Sequence, residues 1–266
     1  MANYWTKNWL AKFATFRETI RRVENWPTAI DLRLHQGRPS PRLLSFRDGL
    51  NLICRGRSSD WDVISELLLS GGYAMALSHL ERTVGEPVVL DLGGNIGAFS
   101  LLVAHRHPTA QLHLFEPAPK NQTQCQLNRL LNPFLANRVQ IHPEGVGGRT
   151  ELTEFYYNEA SPQSSGLYCG GSISYPVQIL AFAEVVAGLK SRVAMAKIDV
   201  EGAEFEILEH TPPAVWNNVD AISIEIHDDP KGRVGLAEFL DAFRKLGYSR
   251  IQKESFAPAT YFLTRK

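Results

Sequence analysis

The sequence has no surplus of charge of either sign: its 266 residues carry 28 Lys and Arg against 28 Asp and Glu. Such a chain has no global field to draw in nucleic acid or an acidic lipid surface, so nucleic acid is not an expected partner. Cysteine is scarce. Cys54, Cys125 and Cys169 are odd in number, widely spaced and without a CxxC pair, which disfavours a disulfide framework and a zinc site alike and leaves each as a small buried residue. No uninterrupted apolar run approaches the roughly 18 residues that span a bilayer, so no transmembrane segment is expected. The N-terminus also lacks the basic, apolar, small-residue order of a secretion signal, which makes the cytoplasm the expected compartment. No internal repeat and no G-x-G-x-x-G occur.

What is present is concentrated in Val88-Val89-Leu90-Asp91-Leu92-Gly93-Gly94-Asn95-Ile96-Gly97, an apolar run ending in an acid and a glycine turn, with a helix-compatible segment, Ala98 to His107, behind it. Glycines at 93, 94 and 97 let the backbone approach a ligand closely, and the first βα turn of a doubly wound sheet is where ligands bind. Next, Gln111 to Glu116 forms a second apolar strand, ending in an acid 25 residues after Asp91. An acid at that place accepts both ribose hydroxyls of a nucleoside. A dinucleotide site would want the missing glycine fingerprint and a pyrophosphate over the turn. Asp91 puts a carboxylate there instead, which argues for a cationic or zwitterionic nucleoside, namely S-adenosylmethionine. A third strand, Val193 to Ile198, ends in Asp199 and Glu201 and opens on the same crevice.

The segments LDLGGNIGAFS, LHLFEPAPKNQTQCQLN and AKIDVEGAEFEIL together resemble the FkbM family of S-adenosylmethionine-dependent methyltransferases, over roughly residues 45 to 230. The resemblance implies an α/β, Rossmann-like class I methyltransferase with a seven-stranded, mostly parallel sheet flanked by helices. It implies that Asp91, Gly93, Gly94, Asn95 and Gly97 border the methionine end of the cofactor, that Glu116 holds the ribose, and that Asp199 faces cofactor and acceptor together. Asn95 can instead cap the following helix. Glu144, or backbone near Gly145 and Val146, is expected at the adenine, while an acid expected shortly afterwards is replaced by Gly148. Methyl transfer leaves S-adenosylhomocysteine as the product.

Residues 1–85 read as an extension and 86–266 as the cofactor-binding domain. Within the extension, residues 3 to 24 read as an amphipathic helix, with Trp5, Trp9, Phe13, Phe16 and Ile20 on one side and Lys7, Lys12, Arg17, Arg21 and Arg22 on the other. That stripe suits packing on the main domain or on a homodimer mate, or a lid over substrate. A loop from Asp31 precedes a hairpin of Leu43–Phe46 with Leu50–Ile53, followed by a helix over Asp60–Ser70 that Ser59 or Asp60 can cap. Gly72-Tyr73 matches a pair seen in the family, so Tyr73 is either a cofactor contact or a packed core residue. From Val88 strands and helices alternate, which means a mostly parallel, twisted sheet. Glu151–Tyr157 and Val177–Leu180 are further strands around a Ser- and Gly-rich loop, then follow helices over Phe182–Leu189 and Glu204–His210, a strand over Ala221–His227, a helix over Leu236–Leu246 and a terminal antiparallel pair.

For the acceptor, a hydroxyl needs a base within hydrogen-bond reach. Asp199, Glu201, Glu225 and His227 are the candidates, His227 foremost because an imidazole titrates near neutrality. Glu225 and His227, two apart, share a face of one strand. Glu201 is more expected to cap or orient the next helix. The same Asp199, Glu225 and His227 are able to bind a divalent metal, a less favoured alternative, and no metal ligand is assigned. The expectation is therefore O-methylation of a small molecule, a sugar or secondary metabolite. The alternatives are an N-methyltransferase of the same fold, a nucleoside-binding module without an acceptor site, and a nicotinamide-dependent oxidoreductase.

Overall fold

In the computed structural model, Val193–Ile198 is buried at every residue and Val88–Leu92 at all but the first. That is the pattern of parallel strands covered by helices on both faces. The structure describes residues 14–35, 39–157, 166, 173–232, 234–255 and 259–265.

The first elements are α1 (residues 14–22), α2 (Trp26–Leu34), the hairpin β1 (Arg42–Ser45) and β2 (Asn51–Cys54), α3 (Asp60–Ile64) and α4 (Ala74–Glu81); between α3 and α4 the helix widens into a π turn, Ser65–Ser70. The alternating part follows as β3 (Val88–Leu92), α5 (Ala98–Arg106), β4 (Gln111–Phe115), α6 (Pro119–Leu130) and β5 (Val139–His142). Next come β6 (Gly145–Gly147), β7 (Glu151–Tyr157), β8 (Ile173–Ala181), α7 (Phe182–Gly188) and β9 (Val193–Ile198). The chain ends with α8 (Glu204–His210), α9 (Pro213–Trp216), β10 (Ala221–Glu225), α10 (Leu236–Lys245), β11 (Arg250–Lys253) and β12 (Thr260–Thr264).

Seven strands form the main sheet in the order β11-β12-β10-β9-β3-β4-β5. All pairs from β10 to β5 are parallel, and β12 runs antiparallel to both β10 and β11. This is the mostly parallel, helix-flanked sheet of the Rossmann-like class I methyltransferase fold that the sequence led us to expect. Alternate residues feed opposite cores. Val89 and Met195 pack with Leu77, Leu80, Leu101, Leu102 and the hairpin residues Leu44 and Leu52, whereas Leu90, Leu92, Ala196 and Ile198 pack with Phe182, Trp216, Phe239 and Phe243. Because the chain leaves β3 toward β4 on one side and reaches β9 on the other, a crevice opens at the carboxyl ends of β3 and β9, the switch point where ligands bind in such sheets.

Several expectations need correction. Glu151–Tyr157 and the strand after the Ser- and Gly-rich loop do not join the main sheet; β7 and β8 form a separate three-stranded sheet with β6. Residues 31–34 belong to α2 rather than to a loop. The strand that was expected to reach His227 ends at Glu225. Neither Ser59 nor Asp60 caps α3: Ser59 makes no side-chain cap bond, and the Asp60 carboxylate is taken by the Arg55 guanidinium and backbone N–H. Helix α4 has no expected counterpart. Gly71, at φ 81°, ends the π turn and Tyr73, at φ 60°, starts α4. Its first turn is satisfied by the buried Glu254 carboxylate, which accepts the Met75 N–H at 2.9 Å from the far end of the chain. A cap contributed 179 residues away leaves no local sign in the sequence. Of the N-terminal stripe, Trp5, Trp9 and Phe13 lie outside the described residues, and Phe16 and Ile20 are 38% and 37% exposed. No single helix among the described residues is long and apolar enough to cross a membrane.

The hairpin is fastened to the main domain by the amides of α6 and the residues just after it. Asn128 Oδ1 accepts the Ile53 N–H at 2.8 Å, and Asn132 accepts the Asn51 N–H at 2.9 Å and donates to the Asn51 carbonyl at 2.7 Å. Asn128, fully buried, also donates to the Ile96 carbonyl at 2.8 Å. Asn128→Ala orphans a buried donor and a buried acceptor, and we expect a loss of about 2–4 kcal/mol, read as a lowered urea midpoint with unchanged slope.

Candidate active site

The turn after β3 is folded by its neighbours. The N–H groups of Gly93 and Gly94 both donate to the Phe115 carbonyl at 3.0 Å, and Gly97 N–H donates to the Gly94 carbonyl at 2.8 Å. Asn95 stands at φ 49°, its carbonyl accepting the Cys125 thiol at 2.8 Å and its N–H donating to Glu116 Oε2 at 2.8 Å. Its side chain does not cap α5, whose first turn begins after Gly97 without a side-chain cap. Asn95 instead lines the crevice.

Two cavities meet there. The smaller is lined by Glu116, Pro117, Asn121, Gly145, Val146, Phe155 and Ile179; the larger by Glu66, Tyr73, Phe99, Lys197, Glu225 and His227. Gly93, Asn95, Asp199 and Glu201 line both. Glu116 is buried with both oxygens in use, Oε2 on Asn95 N–H and Oε1 on Ala118 N–H at 2.9 Å, and burial pushes its carboxyl up to about 7 against the lowering effect of those donors. The smaller cavity therefore offers a carboxylate at one end and apolar walls at the other, with Phe155 and Ile179 coming from the small sheet.

Of the sequence candidates, Gly93, Gly94, Asn95, Glu116, Asp199, Glu225 and His227 all stand at this crevice. Gly97, at φ 79°, starts α5 beneath the turn and packs near Cys125. Asp91 lines neither cavity: it is fully buried, its Oδ2 accepting the Ser100 hydroxyl at 2.7 Å and its Oδ1 lying 3.4 Å from Lys197 Nζ. Glu144 also lines neither, whereas Gly145 and Val146 do. At Gly148, where an acid was expected, a Cβ would come within 2.5 Å of the Glu206 carbonyl, so the close approach of α8 leaves no space for a side chain.

The larger cavity is rich in carboxyl groups. Burial and then the Asp199 charge push Glu225 up to about 7, with His227 acting the other way; Glu201 is also raised to about 7, by burial first. Glu66 is raised by burial and by Asp199. His227 is moved in the opposite sense from a free base. Burial on its own lowers it, but Glu204, accepting from Nδ1 at 3.0 Å, together with Glu201 at 3.4 Å from Nε2 and the Asp199 charge, outweighs burial and holds the ring at about 9. At neutral pH the ring is then a cation shared by two carboxylates, and its expected advantage as a proton acceptor passes to Glu225 and Glu201. Glu201 does not cap α8, which has no side-chain cap; Glu204 instead holds the loop before the helix, accepting the Val200 and Gly202 N–H groups. Asp199, Glu201 and His227 present possible ligand atoms within 4.8 Å of one another, with Glu201 in the place the sequence reading gave to Glu225.

Sequence reasoning passed over Lys197, Glu66 and Glu204. Lys197 did leave a sign, as the one charge inside the otherwise apolar β9; the other two left none. Tyr73, Asn95 and Glu201 line the larger cavity with φ of 60°, 49° and 52°, a concentration of strained backbone typical of functional sites.

Residues 91–250 match the family described as the methyltransferase FkbM domain. The chain is similar to Methyltransferase 1 of Beauveria bassiana, 29% identical over an aligned length of 175, with 57% of this chain and 69% of that protein covered. It is also similar to the 31-O-demethyl-FK506 methyltransferase FkbM of Streptomyces tacrolimicus, 24% identical over 173 residues, 53% of this chain and 65% of that one. A third relative is the 2-O-methyltransferase NoeI of Sinorhizobium fredii, 26% identical over 151 residues, 50% of this chain and 59% of that protein.

Proposed function

The chain belongs to the methyltransferase FkbM domain family, and from that membership we propose that it moves a methyl group from S-adenosylmethionine to a hydroxyl oxygen of a small molecule. The observation that carries this reading is the meeting of two unlike cavities at Gly93, Asn95, Asp199 and Glu201. One has the acid-plus-apolar lining for an adenosine, with Glu116 at the ribose and Val146, Phe155 and Ile179 at the base. The other leaves space for the amino-acid end and an acceptor. When bound, S-adenosylmethionine supplies an electrophilic methyl group beside its sulfonium charge. Asp199 and Glu201 at the junction suit a cation, and methyl transfer removes that charge, leaving a neutral thioether.

In-line displacement asks the chain to position and to exclude water more than to do covalent chemistry. Asp91 contributes indirectly by anchoring α5 through Ser100 and engaging Lys197. Glu225, poised near neutrality, accepts the hydroxyl proton, and His227, held charged by Glu204, fixes Glu201 beside it. An oxygen acceptor is in keeping with the names of two relatives. From the extension, Glu66 and Tyr73 line the larger cavity on the acceptor side of this reading, and 86–266 supplies the cofactor residues together with Glu225.

Calorimetric titration with S-adenosylmethionine, S-adenosylhomocysteine and NAD tests the reading. We expect both sulfur nucleosides to bind and NAD not to, with Glu116→Ala weakening both by about 10- to 100-fold as charged hydrogen bonds are lost. Binding of NAD alone, or of nothing, would overturn it.

A further inference from the structure

Lys197 is the least expected group in the molecule: an ammonium 4% exposed, on a strand otherwise apolar, with no part in the proton transfer. It donates to the Gly93 carbonyl at 3.0 Å and to Asp199 Oδ2 at 3.2 Å, and lies 3.4 Å from Asp91 Oδ1, which has no hydrogen-bond partner of its own among the described residues. Gly93 and Asp199 are junction residues of the two cavities, and Asp91 ends the strand that leads into the turn. Removing the Lys197 charge leaves the fully buried Asp91 carboxylate without a counter-ion, and a group bonded to the turn and to both acids ties the three together.

Resting on the reading above, we propose that Lys197 is the positioning residue of the cofactor turn: by neutralising Asp91 and Asp199 while bonding the Gly93 carbonyl, it fixes the backbone and the carboxylate on which the cofactor is laid. It acts through these groups rather than on the reacting atoms. The charged and titratable groups around it come from every side: Asp91 on β3, Asp199 after β9, Glu225 at the end of β10, Glu66 on the π turn, Tyr73 before α4, whose ring centre is 5.8 Å from Nζ, and Glu116 after β4. All are acids apart from the tyrosine, itself an acid only at high pH, and Lys197 is the cation buried among them.

Lys197→Met keeps the volume and leaves Asp91 and Asp199 facing each other uncompensated. We expect S-adenosylhomocysteine affinity, measured by calorimetry at about pH 8, to fall by about tenfold or more relative to wild type at the same pH. Lys197→Met/Asp91→Asn returns the cluster to the wild-type net charge and should regain most of the lost affinity at about pH 8. A merely structural lysine does not predict the rescue. Wild-type affinity in Lys197→Met overturns the proposal, as does a double variant that binds no better than the single one. If Lys197→Met does not fold, the double variant carries the test: folded and binding supports charge balance, unfolded or non-binding refutes it. Failure of wild type to bind S-adenosylhomocysteine would instead defeat the assignment of the cofactor, and is seen before any variant is made.

Discussion

Glu225→Gln lowers kcat by about 10²–10⁴-fold while S-adenosylhomocysteine still binds, the size expected for losing a positioned general base. The carboxyl is raised to about 7, by burial first and then by the Asp199 charge. The sign of the pH dependence follows. A base works when unprotonated, so the wild-type rate rises with pH through about 7 and falls off below it, and this limb disappears in the variant. Gln keeps the shape and a carbonyl oxygen but cannot take a proton, which separates proton transfer from acceptor binding. Measuring kcat against pH for both proteins decides the matter. A variant with the wild-type rate and the same acidic limb would move the base to Glu201, which shares the pKa but is already paired with His227.

Gly93→Ala removes cofactor binding and destabilises the fold by about 3 kcal/mol or more. Gly93 stands at φ 77°, and a Cβ there would lie 1.8 Å from the Asp199 carbonyl oxygen. That oxygen cannot retreat, because Asp199 is tied to β3 by its N–H bond to the Leu92 carbonyl at 3.1 Å. Relief requires β3 and β9 to separate at the end where the turn leaves the sheet, which spoils both the crevice and the Lys197 contact with the Gly93 carbonyl. Thermal melting and calorimetry with S-adenosylhomocysteine are the measurements. A variant that melts and binds like wild type would show that the turn is far more yielding than these contacts allow.

The parts of the fold that the sequence discloses are those whose cause is local. Val88–Leu92 and Val193–Ile198 are apolar because they are buried on both faces, and the acids that end them stand out for that reason. The glycine turn is likewise visible because only a residue without a side chain tolerates the neighbouring strand. Long-range pairings are what the sequence hides. Nothing near Tyr73 announces that Glu254 will cap α4, and nothing in β9 says that Lys197 will find the carbonyl of a residue 104 positions earlier. His227 is the clearest instance. Its position at the crevice was legible, but its charge state is set by Glu204, which as a residue reads only as the start of a helix. The division of the strands between two sheets was hidden for a related reason, since β7 and β8 carry strand composition that does not say which neighbour they will pair with.

The hairpin in front of the sheet has a bearing on how copies of this chain behave in a crowded solution. A two-stranded ribbon has outward N–H and C=O groups along each side, and an open side is a template on which another chain can grow a further strand, the first step toward aggregation. Along β2 that template is erased. The outward N–H groups of Asn51 and Ile53 are taken by Asn132 and Asn128, and the outward carbonyls of the same two residues by Asn132 and Gln124. Carboxamides suit this task because each carries a donor and an acceptor and so mimics the edge of a strand without offering a further edge behind it. An incoming strand meets a side already paired, and the small ribbon stays solitary without a third strand to shield it.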